Sequence, residues 1–286
     1  MKPVLNVMTV VMLAFVTGSF AADANAPKPA VPDLAAAKQY AKAELEIERI
    51  RTSDKPDWAA ASAQFELMLP VVKYIDAKCS MHYDKEIHDA LKECAAGHDI
   101  ETNDEIVGKG LQHIAVLAIR QELDSMGKAS AADKKASAER IAAYFEGIRP
   151  TFVRRDKGFF EGKKTLEDAA DKALAQLQNV EKADLLTASR ELDDAIARTF
   201  ALSMLFEVTE IEKKRDSDVE FCNGKRTEAK MFYRIIQPRI QKRSRKINEI
   251  ITNTLNGSFG AMNSQTLEKQ LETGLGLKLR NLKSAK

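Results

Sequence analysis

Three times along this 286-residue chain an aromatic residue stands five positions before a proline, inside the same amphipathic pattern. Phe65-Glu66-Leu67-Met68-Leu69-Pro70, Phe145-Glu146-Gly147-Ile148-Arg149-Pro150 and Tyr233-Arg234-Ile235-Ile236-Gln237-Pro238 share one order: aromatic, charged, any, Met or Ile, any, Pro. The upstream sequence repeats too. Glu122-Leu123 lies 28 residues before Pro150, Glu210-Ile211 lies 28 before Pro238, and Glu46-Ile47 lies 24 before Pro70. The unit this implies is a helical hairpin whose second helix carries the aromatic and the proline. A proline removes one backbone donor, so each second helix is expected to bend at the same level. One hairpin cannot bury its own apolar face, whereas three stacked copies share a continuous core. The expected fold is therefore all-α, an elongated bundle of stacked hairpins in three pseudo-repeats, with the motif aromatics in the core.

Composition agrees. Thirteen Gly and eight Pro are too few for the many turns of a sandwich, barrel or propeller. Strand-like alternation of β-branched residues is absent. Long stretches with apolar residues at three- and four-residue steps run over 104–126, 184–216 and 227–255. Asp33 and Asp57 read as N-caps, Thr165-Leu166-Glu167-Asp168 resembles a capping box, and Asn223-Gly224 and Asn256-Gly257 read as turns. The expected hairpins cover about 33–80, 104–160 and 184–256, followed by a C-terminal helix over about 264–282.

The first residues have the order of an export signal. Lys2 supplies positive charge, 7–16 are mostly apolar, and Ser19-Phe20-Ala21 ends in a small-x-small site. Cleavage is expected after Ala21, with Ala26 as the alternative. Residues 22–32 read as a Pro/Ala tether. The expected location is the periplasm or outside the cell, and with no Cys beside the cleavage site the chain does not read as a lipoprotein. In an oxidising compartment two of Cys79, Cys94 and Cys222 are expected to bond. Cys79–Cys94 closes the shortest loop, while either of them with Cys222 would staple distant hairpins.

Several groups could hold a metal. Cys79-x-x-His82, with His88, Cys94 and His98 downstream, has one chelating spacing but lacks a second tight pair for zinc. His113 sits among apolar residues and reads as a satisfied core histidine. Glu207 and Glu210 are helical neighbours, and with Glu122 from another copy they could coordinate iron as bundle carboxylates do. Carboxylates are hard ligands, which favours iron or manganese over copper(I). The competing expectation is that these acids pair with Arg or Lys on neighbouring helices.

Ala143-Tyr144-Phe145-Glu146-Gly147-Ile148, followed by Arg155-Asp156, resembles a helical motif in the periplasmic domains attached to bacterial high-affinity iron permeases. There an Ala-Tyr-Leu-Asp-Gly-Phe run precedes an Arg-Asp pair. The resemblance covers about 15 residues of the chain. It implies an envelope accessory for iron acquisition or handling, with a membrane permease as partner. The family's permease helices and its Arg-Glu-Gly-Leu-Glu transport motif are not found.

Charge is uneven. Residues 225–286 hold 14 Lys/Arg against 4 Asp/Glu, although the whole chain carries a net charge of only +2. Arg239, Lys242, Arg243 and Lys246 follow helical spacing and are expected to form one basic stripe. Such a stripe would dock on an acidic partner protein or an anionic envelope surface. The balanced total argues against general nucleic-acid binding. Gly-x-Ser-x-Gly, His-Glu-x-x-His, a P-loop and a dinucleotide fingerprint are all missing, so the expectation is a binding protein rather than an enzyme.

Overall fold

The computed structural model describes residues 29–127, 129–179 and 184–280. The stretch read as a signal peptide and residues 22–28 of the tether lie outside them. The described residues form eleven α-helices and one three-residue 3-10 turn (Phe259–Ala261), with no strand among them. In chain order these are α1 (Leu34–Arg51), α2 (Trp58–Glu66), α3 (Leu69–Cys79), α4 (Tyr83–Ala96), α5 (Ile100–Met126), α6 (Ala131–Phe159), α7 (Thr165–Gln178), α8 (Leu185–Lys214), α9 (Val219–Arg243), α10 (Arg245–Asn256) and α11 (Ser264–Leu275). The fold is all-α, as the sequence predicts.

Local chemistry explains most boundaries. Asp33 accepts the Ala36 N–H at 2.8 Å and Asp57 accepts the Ala60 N–H at 3.0 Å, each supplying an acceptor to an orphan donor of a first turn. Gly257 ends α10 after Asn256. Asn223-Gly224 does not turn. It lies inside α9, and the reversal comes earlier, where Asp218 accepts the Phe221 N–H at 3.0 Å. The stretch 227–255 is two helices, because Ser244 takes an extended conformation (φ −155°, ψ 101°) between α9 and α10.

The three prolines do not sit alike. Pro150 and Pro238 lie within α6 and α9. Pro70 lies in the first turn of α3, where its missing N–H costs nothing, and the chain tightens through Leu67 and Met68 just before it. In the first motif the expected bend has become a break between two short helices.

A second recurrence is absent from the sequence reading. Six residues beyond each proline stands a side chain that caps the next helix. Asp76 accepts the Tyr83 and Asp84 N–H groups at 2.8 and 2.9 Å, and Asp156 accepts those of Leu166 and Glu167 at 2.8 and 3.1 Å. Ser244 accepts the Ile247 N–H at 3.3 Å. The packing order recurs as well. α5 lies on α6 and α8 on α9; α4 lies on α5 and α7 on α8; α1 lies on α6 and α5 on α9. α11 takes the corresponding place on α8 while also packing on α9.

The motif aromatics Phe65, Phe145 and Tyr233 are all buried. With Tyr40, Tyr144, Phe152, Phe200 and Phe232 they belong to one continuous core. Burying each such ring contributes about 1.5–3 kcal/mol before entropy is counted.

Candidate functional site

Two features carry chemistry: a layer of ions inside the bundle, and a cationic corner where α9 meets α10.

The layer begins on α1. Arg51 is buried, with Nε 2.6 Å from Glu48 and Nη1 2.7 Å from Asp104 of α5, and Arg154 of α6 reaches Glu48 at 3.0 Å. One turn further along α5, Lys109 is 4% exposed and lies 3.2 Å from Glu105 and 3.0 Å from Glu228 of α9. Lys225 then bridges Glu228 at 2.9 Å and Glu207 of α8 at 3.0 Å. Two rings take up cations beside these pairs. Lys109 Nζ lies 5.1 Å from the centre of Phe232, and the Arg155 guanidinium lies 4.5 Å from that of Phe206. Gly108 makes room for the chain of ions, since a Cβ there would fall 2.6 Å from the Arg51 guanidinium carbon.

The electrostatics follow from this arrangement. Burial, reinforced by Glu228, raises the Glu207 carboxyl above its ordinary range. Burial would raise Glu228 too, but Lys109 and Lys225 pull it below. Removing one partner from such a layer leaves an uncompensated buried ion, which costs about 3–5 kcal/mol. Helix registers that separate these residues are disfavoured by the same amount.

Each candidate metal carboxylate faces a cation. Glu122 receives Nε and Nη2 of Arg140 at 2.7 Å each, Glu207 faces Lys225, and Glu210 pairs with Lys213 at 2.6 Å. Among the described residues no group of three or more His, Cys, Asp or Glu is arranged to hold a metal. The expected Glu122–Glu207–Glu210 iron site is corrected accordingly: Glu122 and Glu207 pair with cations of neighbouring helices, as the competing expectation has it, whereas the partner of Glu210 comes from its own helix α8, and none of the three partners is Arg149, Arg154 or Arg239. Those three pair with Asp171, Glu48 and Asp193 among others.

The cysteine expectation is corrected too. Cys79, Cys94 and Cys222 are all free. Cys79 ends α3, while Cys94 lies at the far end of α4, eleven residues and about 16 Å along a rigid rod from its start. Burial raises all three thiols, Cys94 to about 11. The histidines of the Cys79-x-x-His82 region hold carboxylates instead. His88 Nε2 meets Glu66 at 2.8 Å and His98 Nδ1 meets Glu93 at 3.0 Å. His113 is a core histidine, with Nδ1 2.5 Å from the Tyr83 hydroxyl.

The basic stripe is broken up. Arg239 is half-buried between Asp193 (2.9 Å) and Asp194 (2.6 Å). Arg243 donates to the Thr273 carbonyl at 3.3 Å, near the C-terminus of α11. Lys246 belongs to a different helix from Lys242, because the chain breaks at Ser244. What remains is a corner: Lys242, Arg243, Arg245 and Lys246 are exposed and form no ion pair among the described residues, Arg243 meeting only the Thr273 carbonyl. Sequence reasoning missed Arg245, since the break that brings it to this corner is invisible to a continuous helical wheel.

The residues of the permease-like motif do structural work. Tyr144, Phe145 and Ile148 are core, Gly147 packs against α1, and Asp156 caps α7. A surface groove of about 1140 Å³ runs along α1 past Leu45 and Leu67 and is walled by both signs of charge. No helix among the described residues is long and apolar enough to cross a membrane. The chain matches no protein-family model, no curated protein and no solved structure.

Proposed function

We propose that this chain is an exported, non-catalytic helical binding protein that docks on an acidic partner protein through the α9–α10 corner. The observation that carries the reading is that Lys242, Arg245 and Lys246 are exposed and form no ion pair among the described residues, although Glu249 stands one turn further along α10, while Arg239 close by is neutralised within the fold. Unpaired like charges this close repel, and an acidic surface relieves that repulsion. A protein is favoured over a lipid surface because none of the exposed large apolar side chains lies between residues 239 and 280 to enter a bilayer. The recurring proline motif, the cap six residues beyond it and the repeated packing order support a stack of three pseudo-repeats that holds this corner rigid. Iron handling rests on the motif resemblance alone, since Glu122, Glu207 and Glu210 each face a cation. Export rests on the first 21 residues and is checked by fractionating cells that express the whole chain.

The docking test uses immobilised polyglutamate. Residues 22–286 should be retained at low salt and released near 1 M, where the Debye length is about 3 Å. Lys242→Glu with Lys246→Glu should lose retention, while Lys55→Glu with Lys92→Glu, equal in charge but distant in the chain, should keep it. Equal loss in both variants would reduce the corner to general basicity. Binding to phosphatidylglycerol vesicles without polyglutamate retention would overturn the choice of a protein partner.

A further inference from the structure

Between α1, α5 and α6 lies a small internal space of about 10 Å³, room for one water molecule. Glu44 of α1 faces it and is 5% exposed. Neither of its carboxylate oxygens meets a hydrogen-bond donor, and neither does Oε1 of Gln112, which lines the same space from α5. Oε2 of Glu44 fills the position left by a missing side chain, since a Cβ on Gly147 would fall 2.1 Å from it. Three buried acceptors thus converge on one small space, and none of them receives a hydrogen bond. A native fold rarely leaves that arrangement unanswered.

The neighbours decide what answers it. On α1 itself Tyr40, Glu48 and Arg51 are near, α6 contributes Arg154, and the α5 lining residues Gly108, Leu111 and Gln112 carry no charge. α2 and α3 add nothing to the lining. Arg51 and Arg154 already bring two guanidinium groups to the space, which disfavours a further cation. A proton on Glu44 supplies one donor without adding a net positive charge, and a water supplies two more. We propose that this space is a binding site for one proton and one water, with Glu44 a neutral carboxylic acid joined to Gln112 through that water.

The electrostatics agree. Burial, seconded by the charge of Glu48, raises the Glu44 carboxyl from 4.5 to about 8. Between those values the folded protein keeps a proton that the unfolded chain has lost. Stability therefore falls as pH rises through that window and levels off above it. Glu44→Gln keeps the shape and removes the proton. From pH 5 to 8 the unfolding equilibrium constant of the parent should rise about four hundredfold relative to that variant. Other titrating groups, Glu207 included, are common to both and cancel. Parallel pH profiles for parent and variant would overturn the proposal. A parent whose stability at constant ionic strength changes when choline replaces sodium, in a way Glu44→Gln does not, would assign the space to a metal cation instead and would also overturn it. Should Glu44→Gln fail to fold, infrared spectroscopy with ¹³C-labelled glutamate in a Glu207→Gln background, which removes the other raised carboxyl of the ion layer, decides. A protonated-carboxyl band should be present at pH 6 and lost by pH 9.5, and its absence at pH 6 would sink the assignment. A crystal structure near pH 6 should show the single water between Glu44 and Gln112, and an empty space would remove it.

Discussion

At the residue scale, the carboxylates that read as metal ligands are spoken for. The Glu122–Arg140 pair shows it best, being bidentate and nearly buried between α5 and α6. Glu122→Ala leaves the guanidinium of Arg140 half in the protein with only Ser137 Oγ at 3.1 Å. We expect a loss of about 2–3 kcal/mol, below the full cost of an orphaned buried ion because Arg140 can turn toward water. Arg140→Ala and the double variant complete a cycle whose coupling should exceed about 1 kcal/mol. Iron salts should leave the Tm of the parent unchanged. An iron-dependent rise in the parent, absent from Glu122→Ala, would restore the carboxylate site. The sequence shows that Glu122, Glu207 and Glu210 share a helical face or repeat position. It does not show which cation an adjacent helix will bring, since Arg140 comes from a helix whose register is set by the whole core.

At the scale of elements, the caps separate what local sequence can and cannot reveal. Asp33 and Asp57 are legible because each bonds a donor three residues on. Asp156 is not legible, because it sits in the last turns of one helix and caps another ten residues away. Thr165 looked like the cap by proximity, yet Lys164 takes the flanking position and no side chain there bonds the first turn. Asp156→Ala should cost about 1–2 kcal/mol and increase hydrogen exchange in residues 165–178 more than elsewhere. Exchange that rises evenly through the molecule would mean that Asp156 has no special hold on α7. The break at Ser244 was hidden for a related reason. Apolar periodicity continues across it from Ile240 to Ile247, and only the backbone shows that the direction changes.

At the scale of the whole molecule, helical class and core aromatics were readable, because periodicity, scarce Gly and Pro and repeated motifs act together along the chain. The disulfide was not readable, since connectivity depends on how far rigid helices carry their ends apart. Three thiols should appear when unreduced protein is unfolded, and in the folded state Cys79 should react well before Cys94 and Cys222, which are buried. A single thiol on unfolding would show that two cysteines meet in a state other than this fold.

The packing order gives the molecule a direction. Gly147 and Ile235, each three residues before a motif proline, meet α1 and α5 respectively; the Ile235 carbonyl receives Arg120 of α5 at 2.8 Å. Leu67, at the same place before Pro70, is 46% exposed, and among the described residues no helix precedes α1 to cover it. At the opposite end α11 already lies on α8, where a further second helix would go. In the language of polymers, the packing pattern of the described residues is open at its first unit and capped at its last, where α11 occupies from within the face of α8 that a further second helix would take.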